Sequence, residues 1–204
     1  MNRFLFTVTL CAALFAGCSK KSSGDAAKPM PVAETAPPME EAAVAEKAEP
    51  APPPPPKSAM ATLAPASKSK VSGTISFKEV DGGVEVTANL EGLKPGDHAY
   101  HVHEKGDCSA PDATSAGGHF NPGGHAHGSP DAEAHHEGDF GNLTAGKDGK
   151  ATKTFVMKGI TLDASPTSIV GKGFIVHEKA DDFKTQPTGN AGGRVACGVI
   201  AIQE

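Results

Sequence analysis

The sequence predicts an all-β sandwich or barrel, and three observations carry that prediction. Short stretches alternate apolar and polar residues with the period of two that a half-buried strand requires. Gly- and Pro-containing turn signals separate them, and no stretch sustains the periodicity of an amphipathic helix. The first pair is V-S-G-T-I-S-F from Val71 and V-E-V-T-A-N-L from Val84, joined across Asp81-Gly82-Gly83, a hairpin signal. Leu93-Lys94-Pro95-Gly96 punctuates the chain before an apolar-flanked strand over 98–104. ATKTFVM (151–157), GKGFIVHE (171–178) and RVACGVIAI (194–202) supply further strands. Aromatic residues are few and Trp is absent, which leaves Val, Ile, Leu and Phe to fill a core.

Two segments precede this domain. MNRFLFTVTLCAALFAGCSK reads as a bacterial lipoprotein signal over residues 1–17, with Arg3, an apolar run from Phe4 to Ala16, and Ala16-Gly17-Cys18. The run stops short of the ~20 residues a membrane span needs. The expectation is cleavage before Cys18, lipid on Cys18, and a periplasmic protein anchored to a membrane of the cell envelope; Ser19 resembles the outer-membrane sorting signal. Residues 18–70 are Ala, Pro, Glu and Lys with almost no large apolar side chains, so they predict a disordered tether that cannot offset its ordering entropy. Its prolines at 52–56 favour extended polyproline II. The folded domain is expected over 71–204.

The formal net charge is -5, with no basic stripe and no interleaving of aromatic and basic residues, which argues against nucleic acid as a partner. An anionic substrate would be repelled by this charge unless local positive groups focused it.

The chemistry concentrates in residues 101–142. His101 and His103 are two apart on a strand, so their side chains leave the same face and can close on one ion. His119, His127, His136 and Asp139 follow in a stretch so rich in Gly, Pro, Ser and Ala that it reads as a long loop. Long loops in compact domains are usually functional or disordered. Imidazole suits zinc and copper, and a carboxylate completes a tetrahedral zinc site. A loop that merely scavenged metal would not need the remote His177 in FIVHEKADD (174–182). His98, His125 and His135 are expected to be exposed, the last two beside candidate ligands.

HVHEKGDC, SAGGHFNP, HGSPDAEAHHEGDFGN, IVHEKADD and GNAGGRVACGVIAI, in that order, resemble the copper/zinc superoxide dismutase family from about Val71 to Ile202. The resemblance implies a Greek-key sandwich or barrel with a long metal-binding loop. It implies copper held by His101, His103, His119 and His177, and zinc held by the shared His119 with His127, His136 and Asp139. His119 is then ligand and proton carrier together, and Arg194 lines the approach to copper and orients an anion. Asp181, with Asp182 as positional rival, links His101 to His127. The implied reaction converts superoxide to dioxygen and hydrogen peroxide with a redox-cycling copper and a structural zinc.

Cys11 leaves with the signal and Cys18 takes lipid, so Cys108 and Cys197 remain as an even pair in an oxidising setting; the family resemblance also implies their disulfide. One departure stands out. Only FKTQP separates Asp182 from Thr188, shorter than the charged loop that steers superoxide in familiar relatives, and Gln186-Pro187 stands where a lysine is expected. Lys184 and Lys179 are candidates to replace it. A monomer and a homodimer both remain open.

Overall fold

The computed structural model describes residues 57–204; the signal segment, Cys18 and the proline run lie outside them. Among the described residues eight strands form, β1 (Ser58–Pro65), β2 (Ser72–Val80), β3 (Gly83–Glu91), β4 (Gly96–His103), β5 (Asp139–Ala145), β6 (Ala151–Met157), β7 (Gly173–His177) and β8 (Arg194–Gln203), with one 3-10 turn at Thr114–Ala116. Their order across the sheet is β5-β4-β7-β8-β1-β2-β3-β6, and every neighbouring pair is antiparallel. Strands β3 and β4 are consecutive in the chain yet far apart in the sheet, the crossover expected of a Greek key. The two edges meet where Lys153 Nζ on β6 donates to the Asn142 carbonyl on β5 at 2.7 Å, so the barrel is nearly closed. Among the described residues, no helix is long and apolar enough to cross a membrane.

Two elements correct the sequence reading. Residues 58–65 were expected in the tether, but they form β1, paired on one side with β2 and on the other with β8. Ala59, Ala61 and Leu63 alternate inward and are buried. Ala59 faces Phe77, and Ala61 lies between Ile75 and Ile200, so the neighbouring strands supply the bulk that β1 lacks. The domain therefore begins near residue 57 rather than 71. Likewise Asp139–Ala145, the end of the presumed loop, is β5.

The core fixes where the functional side chains point. Tyr100, Phe140 and Phe174 are fully buried and packed together, with ring centroids 5.4 Å apart for Phe140 and Phe174 and 5.9 Å for Tyr100 and Phe174. Tyr100 and Val102 of β4, and Phe174 and Val176 of β7, belong to this cluster. Period two then sends His101, His103 and His177 to the opposite face of these adjacent strands. Ligand placement is thus a by-product of aromatic packing on the other side.

Candidate metal centre

Four ring nitrogens are buried without a hydrogen-bond partner among the described residues: His101 Nδ1, His103 Nε2, His119 Nε2 and His177 Nε2. Buried polar atoms are nearly always paired, because an orphan costs about 1–3 kcal/mol. These four residues can offer donor atoms that all lie within 4.8 Å of one another. Each lone pair is also set by what holds the rest of its ring. His101 Nε2–H donates to Asp181 Oδ2 at 2.8 Å, which leaves Nδ1 as the free acceptor. His103 Nδ1–H donates to the Gly117 carbonyl at 2.9 Å, which leaves Nε2. His119 reaches the group because its backbone bridges that of His103, with the Phe120 N–H on the Val102 carbonyl at 2.8 Å.

The other edge of His119 enters a second cluster. Asp139 Oδ1 lies 2.8 Å from His119 Nδ1, 3.0 Å from His127 Nδ1 and 3.2 Å from His136 Nδ1. Ligand atoms around a tetrahedral zinc at ~2.0 Å are about 3.3 Å apart, so this spacing is that of a zinc cage drawn slightly inward. Asp139 Oδ2 accepts the Gly128 and His136 N–H groups, both at 3.0 Å. The donor sets therefore fit the metals the resemblance implied: all-imidazole on one side, three imidazoles and a carboxylate on the other.

Protonation separates the two clusters. Burial, with neighbouring imidazoles, holds His103 and His177 well below the usual histidine range. Burial also lowers His101 and takes His119 down to about 4, against the pull of their carboxylate partners. Burial acts the same way on His127, but Asp139 at Nδ1 and Asp181 at Nε2 outweigh it and raise this ring to about 9. Both carboxylates, despite burial, are held far below their ordinary values by the imidazoles around them.

Residues 71–200 match the family model described as copper/zinc superoxide dismutase. This chain belongs to the copper/zinc superoxide dismutase family. The metals of the family are copper and zinc, and its reaction is superoxide dismutation. Among solved structures, a crystal structure of the clock protein EA4 is 41% identical, with a TM-score of 0.67, covering 75% of this chain and 99% of that one.

Around the family's ligand set, Asp181 bridges the clusters, with Oδ1 2.9 Å from His127 Nε2 and Oδ2 2.8 Å from His101 Nε2. Its rival Asp182 does not enter the site. It caps a local turn, accepting the Lys184 and Thr185 N–H groups at 2.9 and 2.8 Å. Gly189 packs onto the Asp181–His127 pair so closely that a Cβ there would lie 1.9 Å from Asp181 Oδ1, and its φ of +65° also favours glycine. Arg194 donates from Nη1 to the Ala113 carbonyl and from Nη2 to the Gly117 carbonyl, both at 2.6 Å. The second of these oxygens is also the acceptor for His103. Cys108 and Cys197 are disulfide-bonded across a separation of 89 residues, which ties this loop to the strand bearing Arg194. In the chain-entropy model such a bridge contributes roughly 4–5 kcal/mol.

His98 corrects the sequence reading again. It is buried, with Nδ1 2.8 Å from the His177 carbonyl and Nε2 2.9 Å from that of Lys94. His125 is exposed as expected. His135 is half-buried, its Nδ1 2.6 Å from the His136 carbonyl. Sequence reasoning also missed Asn142 and Gln186, whose carboxamides bind the backbone of site residues. Nothing local to either residue marks it.

Proposed function

We propose that this chain dismutates superoxide, with copper held by His101, His103, His119 and His177 and zinc by His119, His127, His136 and Asp139. One observation carries the proposal: four buried lone pairs converge from three separate segments, and one ring faces both clusters. Two superoxide ions and two protons give one dioxygen and one hydrogen peroxide. When bound, copper supplies a one-electron couple, whereas zinc is redox-silent and structural.

The chain's own residues supply the rest. Asp181 fixes the His101 tautomer, so the lone pair stays on Nδ1. His119 Nε2 faces the copper side and is the atom placed to hold a proton and deliver it to reduced oxygen. Two of the five N–H donors of Arg194 are spent on carbonyls that lock its guanidinium, leaving others to orient a small anion. In a net-negative domain this fixed cation, together with the metals when bound, would be the local attractor.

A second reading, a metal-binding module without turnover, draws on the 41% identical structure, which is named for a clock protein rather than for a reaction. The deciding measurement is dismutation by the purified full chain, with copper and zinc assayed on the same sample, beside His177→Ala. Turnover should fall by more than about a thousandfold in the variant, since removing even one preorganised donor costs about 10²–10³. Full loading of the parent without turnover would instead establish the module.

We also propose export and anchoring to a cell-envelope membrane, periplasmic and at the outer membrane, through lipid on Cys18. The signal-like pattern of residues 1–18 and a disulfide of the kind that persists in oxidising compartments support it. Cys18→Ala should move the protein from the membrane fraction to the soluble one; a soluble parent chain would overturn the anchor.

A further inference from the structure

Gln186 lies in the short FKTQP segment, where a steering charge was expected, and although the residue is exposed its carboxamide is turned onto the His127 backbone. The His127 N–H donates to Gln186 Oε1 at 2.9 Å, and Gln186 Nε2 donates back to the His127 carbonyl at 2.9 Å. A carboxamide has one donor edge and one acceptor edge, so this two-point bond fixes both position and rotation of the peptide it holds. His127 sits between residues that belong to no regular element, and no strand ladder holds its backbone. The same device recurs nearby: the Asp181 N–H donates to Asn142 Oδ1 at 2.7 Å, and Asn142 Nδ2 donates to the Asp181 carbonyl at 2.9 Å. One carboxamide thus grips each end of the Asp181–His127 hydrogen bond.

We propose that Gln186 is a positioning residue for the zinc site, fixing the backbone of His127 so that its ring meets Asp139 and Asp181 together. The segment that connects Asp182 to Thr188 then serves zinc retention rather than substrate steering. This rests on the assignment of His127 as a zinc ligand. Lysine at this position could donate to the His127 carbonyl but could not accept its N–H, so the departure from the expected residue carries its own function.

The test uses the zinc-loaded full chain, its Gln186→Met variant, and Asp139→Ala as reference for a lost ligand. Zinc release to a chromogenic chelator should be about tenfold faster in Gln186→Met, the lower end of what losing a supporting partner costs. Cobalt substituted into the zinc site should show shifted visible bands, and copper content should not change. A release rate within about twofold of the parent and an unchanged cobalt spectrum would overturn the proposal. A parent that releases zinc as fast as Asp139→Ala would instead overturn the zinc assignment. Hydrogen exchange needs no variant: in the metal-free parent the His127 amide should be protected like that of Asp181, and exchange as fast as at Ala126 would refute the clamp.

Discussion

His101, His103 and His177 stand on β4 and β7, and the nitrogens they turn toward one another have no partner among the described residues. His127 and His136 stand on the loop before β5, and they share the Asp139 carboxylate that opens that strand. The first arrangement is unfavourable in itself, at about 1–3 kcal/mol for each orphaned atom. It persists because Tyr100, Val102, Phe174 and Val176 lock the same strands from the other side. Between Phe120 and Asp139 the loop buries no hydrophobic residue, and this stretch is held by its polar contacts. One cluster is therefore positioned by apolar packing and the other by charge, and substitutions should separate them.

The largest effect should come from the packed side. His177→Ala should remove one proposed copper ligand and with it the proposed dismutation, yet it leaves every contact around Asp139 in place, so zinc binding should survive. Zinc lost together with copper would show that the clusters are one unit. Next comes Asp139→Ala. It withdraws the carboxylate from three imidazoles and two N–H groups, and breaking a buried charged network costs roughly 3–5 kcal/mol. Denaturant unfolding of the metal-free chain should show that loss, while copper still binds to the strands. A loss below about 1 kcal/mol would mean that the loop is held by something other than charge.

The same division explains what could be read from the sequence. His101 and His103 were legible because a strand has a fixed period and their spacing matches it. His119, His136 and Asp139 were legible through motif resemblance, since nothing in their spacing reveals the backbone bridge from His119 to His103. Strand β1 was hidden because Ala59 and Ala61 look like linker residues until Phe77, Ile75 and Ile200 close around them. His98 and Gln186 were hidden for a related reason. Each has a partner that is a distant backbone group, 79 and 59 residues away respectively, and backbone groups carry no sequence signature.

Acidity should sharpen the comparison with a smaller effect, because the metal-free clusters titrate in opposite directions. His101, His103, His119 and His177 are lowered when folded. Below the unfolded value of about 6.5 the unfolded chain therefore binds more protons, and their contribution is lost as pH falls through the folded values, about 4 for His119. His127 is raised to about 9. Its contribution is complete below about 6.5 and is lost as pH rises through 9. Asp139 and Asp181 are depressed and titrate only on the acid side of this window. Unfolding of the metal-free chain should therefore show a stability maximum near pH 6.5, with an alkaline decline of roughly 1–3 kcal/mol. His127→Gln should flatten the alkaline decline and change the acid one much less, because burial is the largest cause of the lowering at His101 and His119 and the charge of His127 a smaller one. If that substitution altered both limbs equally, the loop's charge network would also be holding the strand-borne histidines, and packing alone would no longer account for the copper side.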